Sequence, residues 1–203
     1  MSLEPLLQRA GLLPELRLLV VTAVAIWRAD WPELQQAAQL GRQRGQPRAD
    51  FEEVLLQAVL FCGFPRVVTA FEQLASVWPA TTPPGGGGLP PAEQAAAGRA
   101  LFAGIYGRNT QAVHSLLAGF HQEFHDFVLQ AAYGRILTRP HLDATRRELL
   151  AVALLAAQGQ ERQFLGHARG ARTFGATDAQ LHEVLLTALR DEAAATSWFA
   201  RVR

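Results

Sequence analysis

Three observations predict an all-α protein. Apolar residues make up 49% of the 203 residues, and Ala and Leu dominate them, a composition that favours helix over sheet. No segment shows the sustained alternation of apolar and polar residues that is typical of a half-buried strand. Leu- and Ala-rich stretches are separated by proline, glycine and helix-capping residues. A chain of this length buries enough surface to fold without disulfides or structural metals.

Nine helices are predicted from these stretches and their boundaries. They span residues 14–27, 31–44, 51–60, 65–77, 92–103, 111–133, 144–158, 160–174 and 178–189. Asp143 and Thr177 are predicted N-caps, because each precedes an apolar-periodic run and carries a side-chain oxygen that accepts from the first helical amides. Gly45 and Gly175 are predicted helix stops.

Residues 81–91 divide the chain into two halves. Four glycines flanked by proline pairs cannot continue a helix, so this stretch is predicted to be a flexible, exposed linker. The first unit is then 1–80 and the second 92–203.

The two halves resemble each other in sequence. Arg42-x-x-Gly45 followed by Glu52-Glu-Val-Leu-Leu matches Arg172-x-x-Gly175 followed by His182-Glu-Val-Leu-Leu at a constant offset. Upstream, the run that begins at Leu18 matches the run that begins at Leu149 with a one-residue slip. The sequence therefore predicts two diverged copies of one helical unit, of which the first is degenerate.

Charge and cysteine content exclude several classes of function. The formal net charge of +1 gives no reason to expect nucleic acid or anionic lipid as a partner. Cys62 is the only cysteine, so an intrachain disulfide, a CxxC redox pair and a cysteine-based zinc site are ruled out. The apolar run 18–27 is too short to span a bilayer, and the N-terminus has no basic secretory signal. We expect a cytoplasmic protein.

Glu148 and His167 are the candidate catalytic residues. They lie on two predicted helices joined by a turn near Gly159, eleven residues before it and eight after it. At about 1.5 Å of rise per residue these are similar heights, so the two side chains are expected to face each other. A carboxylate–imidazole pair can move a proton. The alternative is that the pair only closes two helices structurally.

The same residues resemble the carboxymuconolactone decarboxylase and alkylhydroperoxidase D superfamily. The likeness lies in Glu148 and His167 and in the Gly-Ala-x-x-x-Gly and Glu-Val-Leu-Leu that follow them. It extends upstream to the stretch that begins at Tyr133-Gly134 and runs through Arg139-Pro140 to Arg147. Gly63-Phe64-Pro65 resembles the segment that follows the corresponding helix in that family. In the second half, Thr187-Ala-Leu-Arg stands where this segment is expected, so the first half would supply it across the internal interface.

The resemblance implies a site and a reaction. In the peroxidase branch, two cysteines precede the histidine; Gln160 and Gln163 occupy those places here, and glutamine cannot reduce a peroxide. The decarboxylase branch needs no cofactor and acts on a small carboxylated lactone. His167 would then donate a proton or anchor the substrate carboxylate, with Glu148 orienting it or acting as the base. Arg147 and Arg139 are candidate carboxylate holders, or they are surface arginines.

The expected function is therefore that of a cofactor-free lyase, without a metal, that acts on a small acidic or lactone metabolite. The alternatives are an antioxidant protein of the alkylhydroperoxidase type and a catalytically silent scaffold or binding member. The resemblance also implies a homo-oligomer, a trimer of two-repeat chains. Cys62 is expected to be a small core residue rather than a nucleophile.

A third set of residues lies on the predicted helix 111–133. His114 is two turns from His121 and His125, so at most the latter two form half of a metal site. The stripe of Phe120, Phe124 and Phe127 is predicted to be the packing face of that helix.

Overall fold

A computed structural model describes residues 3–81 and 85–202, and these residues form helices without any strand. The all-α prediction is confirmed. The α-helices are α1 (Glu4–Leu7), α2 (Pro14–Arg28), α3 (Trp31–Gln43), α4 (Arg48–Val77), α5 (Pro91–Tyr106), α6 (Thr110–Phe120), α7 (Gln122–Phe127), α8 (Ala144–Ala157), α9 (Glu161–Thr173), α10 (Asp178–Leu189) and α11 (Glu192–Ala200). A 3₁₀ turn, Gly107–Asn109, joins α5 to α6, and a π-helical segment, Val128–Leu137, continues α7.

The predicted helix ends are confirmed at four positions. Asp143 accepts a hydrogen bond from the Arg146 amide at 2.8 Å. Thr177 and Gln180 form a reciprocal capping box at the start of α10. Gly45 and Gly175 have φ values of 75° and 99°, the left-handed conformation in which glycine ends helices.

Helices α2 and α8 form the centre of the fold and pack against each other. Most residues of both helices are buried, and these include the charged residues Arg17, Arg147 and Glu148. Helices α3 and α4 pack on α2, and α9 and α10 pack on α8. A second, smaller apolar cluster from α5 and the π-helical segment lies outside this core.

The helices of the two halves begin at matching positions. Helices α2 and α8 start at residues 14 and 144, α3 and α9 at 31 and 161, and α4 and α10 at 48 and 178. The difference is 130 throughout, whereas the sequence match of Leu18 with Leu149 has an offset of 131. The two-repeat organisation itself stays a prediction, which this spacing favours.

Two buried arginines connect the halves crosswise. Arg147 on α8 donates to Glu53 on α4 at 2.7 Å, and Arg17 on α2 lies 2.9 Å from Glu183 on α10. Each carboxylate also binds a second arginine, Arg139 and Arg9 respectively. Three pairs of corresponding residues differ by 130 in number, namely Arg17 and Arg147, Glu53 and Glu183, and Arg9 and Arg139.

The predicted helix 111–133 is wrong. His121 is extended, with φ −170° and ψ 128°, and the chain folds back so that α7 packs on α6. Because of this break, His114 Nδ1 lies 2.9 Å from His125 Nε2, although the straight helix had placed them apart. Phe120, Phe124 and Phe127 are 65%, 48% and 64% exposed, so they do not form a packing face within the chain.

Helix α4 joins two predicted helices across a kink. At Gly63 the backbone is not helical (φ 75°, ψ 167°), a conformation that is open essentially to glycine alone. By length and composition α4 could cross a membrane. However, core helices of soluble proteins pass the same test, and Phe51, Val54 and Leu55 of α4 lie in the main core.

Part of the predicted linker rests on the folded body. Residues 82–84 lie outside the described part of the chain, and Gly85–Gly88 are exposed. The carbonyl oxygen of Gly86 accepts a hydrogen bond from Arg139 at 2.7 Å. A Cβ at Gly88 would lie 3.0 Å from the same guanidinium group, so glycine allows the chain to pass close to Arg139.

Candidate active site

The α8–α9 hairpin brings Glu148 and His167 together. His167 Nδ1 lies 3.0 Å from Glu148 Oε2, which is hydrogen-bond distance. Only 1% of Glu148 and 7% of His167 is exposed. The pair is therefore almost entirely shielded from water, where an electrostatic interaction is strong.

Gly170 makes room for the carboxylate. It follows His167 by one turn of α9, and a Cβ at this position would lie 2.6 Å from Glu148 Oε2. The same Cβ would lie 3.1 Å from the Ile105 side chain on α5. Any residue larger than glycine at position 170 would therefore have to displace the Glu148 side chain or helix α5. The glycine of the Gly-Ala pair three residues after His167 was the signal in the sequence for this contact.

The site favours the protonated form of His167. Burial alone would lower the pKa of the imidazole, but the neighbouring charge of Glu148 and the hydrogen bond to it raise the pKa above its ordinary value. With Nδ1–H donated to Glu148, Nε2 is the nitrogen that can pass a proton to another molecule.

Helix α5 covers the pair. Ile105 packs at Gly170, and the ring of Tyr106 lies 6.5 Å from the ring of His167, centroid to centroid. Tyr106 also hydrogen-bonds to Tyr133 of the π-helical segment, with 3.0 Å between their hydroxyl oxygens. Sequence reasoning missed Ile105 and Tyr106 as parts of the site, because nothing in the local pattern of α5 indicates which helix it covers.

The comparison with protein families agrees with this geometry. Residues 122–201, which contain both members of the pair, match the model of the carboxymuconolactone decarboxylase family. The second half of the chain is therefore similar to the carboxymuconolactone decarboxylase family.

Two known proteins are similar to parts of this chain. The 4-carboxymuconolactone decarboxylase of Acinetobacter baylyi is 34% identical over 70 residues, which are 34% of this chain and 52% of that protein. The chain thus spans about half the length of this relative. Peroxisomal protein 2 of Schizosaccharomyces pombe is 26% identical over 188 residues, which are 89% of this chain and 88% of that protein.

The predicted carboxylate holders are bound to Glu53. Arg147 is buried and donates to Glu53, to Gln57 and to backbone oxygens of residues 139 and 142. Arg139 donates to both oxygens of Glu53. Burial alone would raise the pKa of Glu53, but these two guanidinium groups hold it below its usual range. Arg147 therefore connects α8 to α4, and Arg139 connects the segment before α8 to α4.

The Gly63-Phe64-Pro65 segment lies at the kink of α4. Phe64 is 71% exposed and Pro65 is exposed. Leu60, one turn earlier, packs on the apolar cluster that contains Ile105 and Tyr133. The first half thus approaches the cover of the site through Leu60.

The first half has no second pair. At the positions that correspond to Glu148 and His167 by the difference of 130, it carries Leu18 and Ala37, which are both fully buried. The Glu148–His167 pair therefore has no counterpart at the corresponding positions of the first half, which are apolar.

The thiol does not have the properties of a peroxidase nucleophile. Burial raises the pKa of Cys62 to about 11, so the thiol is protonated near neutral pH and is a weak nucleophile. Gln160 and Gln163 are exposed at the start of α9. Within residues 3–81 and 85–202, no three His, Cys, Asp or Glu side chains are grouped so as to hold a metal ion.

Proposed function

We propose that this chain is a cofactor-free lyase that removes the carboxyl group of a small carboxylated lactone, with Glu148 and His167 as its proton-transfer pair. The observation that carries the proposal is the 3.0 Å contact between Nδ1 and Oε2 in a buried setting. The similarity to the family and the likeness to a 4-carboxymuconolactone decarboxylase support the choice of reaction.

The proposed step transfers one proton. The bond between the carboxylate carbon and the ring breaks, carbon dioxide leaves, and the electron pair delocalises into the conjugated lactone. His167 Nε2–H then protonates the ring carbon, and solvent returns the proton to the imidazole. Glu148 holds Nδ1–H and stabilises the imidazolium before the transfer.

The two arginines take an indirect role in this proposal. Arg147 and Arg139 are both bonded to Glu53, so we assign them to holding α4 against α8 and the segment before it. In this proposal no arginine binds the substrate carboxylate, which leaves as carbon dioxide in a site of low polarity. A carboxylate that is not held by a guanidinium group gives up carbon dioxide more easily, because its charge is not stabilised before it leaves.

The test is turnover of 4-carboxymuconolactone, followed as carbon dioxide release. We expect His167→Gln and Glu148→Gln to lower kcat by roughly 10²–10⁴-fold, the range in which a positioned acid–base group contributes. Gly170→Ala retains both groups but places a methyl group at Glu148 Oε2, so we expect a comparable loss with the helices intact.

The matched control is Gly119→Ala on α6. A Cβ at Gly119 meets no atom within 4 Å, so this variant makes the same chemical change away from the pair, and its kcat should equal that of the parent chain. Equal kcat for Gly170→Ala and Gly119→Ala would contradict a role for the Glu148–His167 geometry in turnover.

A second candidate function is a silent scaffold. It is favoured by the burial of the pair beneath α5 and by the match over most of the chain to Peroxisomal protein 2, a name that states no reaction. If the parent chain neither releases carbon dioxide from 4-carboxymuconolactone nor binds it in calorimetry, the scaffold replaces the lyase.

A further inference from the structure

Both tyrosines of the chain lie in the cover of the Glu148–His167 pair. The sequence contains two tyrosines in total, Tyr106 at the end of α5 and Tyr133 in the π-helical segment. Their hydroxyl oxygens are 3.0 Å apart. Their rings flank Phe102, at centroid distances of 4.6 Å and 4.7 Å, so the packing fixes both rings.

A close approach of two backbones positions this hydroxyl pair. A Cβ at Gly98 on α5 would lie 2.8 Å from the Gly134 Cα atom, so the two elements cross almost in backbone contact. Gly134 follows Tyr133 directly, and Gly98 lies two turns before Tyr106. The crossing therefore sets the distance between the two phenols.

Tyr106 is the more exposed member of the pair. Tyr133 is 4% exposed, whereas Tyr106 is only partly buried. The Tyr106 ring also lies across Gly166, the neighbour of His167, where a Cβ would be 3.3 Å from the ring. One face of the phenol thus borders the strip of α9 that carries the imidazole.

We propose that Tyr106, supported by Tyr133, donates a hydrogen bond to the substrate oxygen on which negative charge develops during decarboxylation. The inference rests on the proposed lyase function and adds a third group to its site. If Tyr133 O–H donates to the Tyr106 oxygen, the Tyr106 O–H is left free to donate onward, and a chain of two hydrogen bonds strengthens the outer one. No covalent bond to tyrosine forms or breaks in this role.

The surroundings keep both phenols protonated, as a hydrogen-bond donor requires. Burial raises the pKa of Tyr106 and of Tyr133, and the charge of Glu148 raises both further. This electrostatic coupling also provides a way to detect the arrangement without turnover.

The first experiment is a titration of tyrosinate absorbance at alkaline pH. With two tyrosines in the chain, Tyr106→Phe and Tyr133→Phe each leave a single titrating phenol. Glu148→Gln removes the negative charge, so we expect both phenols to titrate at lower pH than in the parent chain. Titration that is unchanged by Glu148→Gln would overturn the placement of the tyrosines beside the pair.

The second experiment is turnover of 4-carboxymuconolactone by the tyrosine variants. Removal of one donor to a developing oxyanion costs roughly 10²–10³-fold in kcat, and we expect Tyr106→Phe to show a loss in that range with little change in KM. Tyr133→Phe should lose less, since it weakens the donor without removing it. A purely structural role would lower the melting temperature of these variants and leave kcat unchanged, which would overturn the proposal.

The two experiments separate this inference from the lyase proposal. If the parent chain turns over and Tyr106→Phe has the same kcat, the tyrosine role fails alone. If the parent chain shows no turnover, the lyase proposal fails and the donor role fails with it, although a titration shift in Glu148→Gln would still locate the phenols next to the pair.

Discussion

At the scale of single residues, the proton on His167 links the stability of the fold to pH. The site raises the pKa of His167 above its value in the unfolded chain. The folded state therefore binds this proton more tightly, and the resulting stabilisation is complete below about pH 6.5, the ordinary pKa of a histidine. It is lost as the pH rises through the raised pKa.

We expect His167→Gln to lack this dependence, because glutamine carries no titratable proton. Urea unfolding at pH 6 and pH 8.5 measures it: the free energy of unfolding of the parent chain should exceed that of the variant by more at pH 6 than at pH 8.5. An equal difference at the two pH values would show that His167 titrates alike in the folded and unfolded chain.

The sequence alone could predict some of these residue contacts but not others. The meeting of Glu148 and His167 follows from the helical rise and a short turn, because both residues lie on one hairpin. The partner of Arg147 could not be derived in this way, since Glu53 is 94 residues away. Tyr106 was missed for the same reason: its position over His167 depends on how α5 packs on α9.

At the scale of elements, the contact of α4 with α8 depends on the ion pair between Glu53 and Arg147. Both side chains are buried. Glu53→Gln would leave a buried guanidinium group without its counter-charge, a change that typically costs about 3–5 kcal/mol. We expect a fall of this order in the free energy of unfolding, measured by urea denaturation.

The control for this loss is the double variant Glu53→Leu with Arg147→Met. Replacing a buried ion pair by apolar side chains of similar volume is often neutral or stabilising. The double variant should therefore be more stable than Glu53→Gln, although Arg139 loses its carboxylate partner in both. If Glu53→Gln unfolds at the same urea concentration as the parent chain, the pair does not hold the two helices together.

Helix boundaries were predictable where capping residues mark them, as at Asp143, Thr177 and Gly175. The break at His121 has no such mark: neither proline nor glycine occupies that position, and the periodicity of the phenylalanines continues across it. The chain reverses there because α6 and α7 pack on each other, a tertiary contact that local propensity does not encode.

At the scale of the whole molecule, two halves with the same helix spacing have different cores. The second half places Glu148 and His167 in its hairpin, whereas the first half places Leu18 and Ala37 at the corresponding positions. A buried polar pair must satisfy its hydrogen bonds internally, while the apolar positions contribute burial alone. The first half is therefore suited to serve as a rigid support for the chemistry that we propose for the second.

The exposed phenylalanines lead to the last prediction, which concerns self-association. Phe120 and Phe127 are about two-thirds exposed and Phe124 about half exposed, on two helices, α6 and α7, that contain no buried residue. Exposed apolar patches are typical of an interface with another molecule, and we infer such a patch on α6 and α7. Since the superfamily resemblance implies a trimer, we expect light scattering coupled to size exclusion to give three times the mass of one chain. Phe120→Ser with Phe127→Ser should shift that mass toward the monomer, because it removes the aromatic area that association would bury. Phe64→Ser is the control, since it removes a similarly exposed phenylalanine from the kink of α4. A monomeric parent chain, or equal dissociation of both variants, would contradict an interface at α6 and α7.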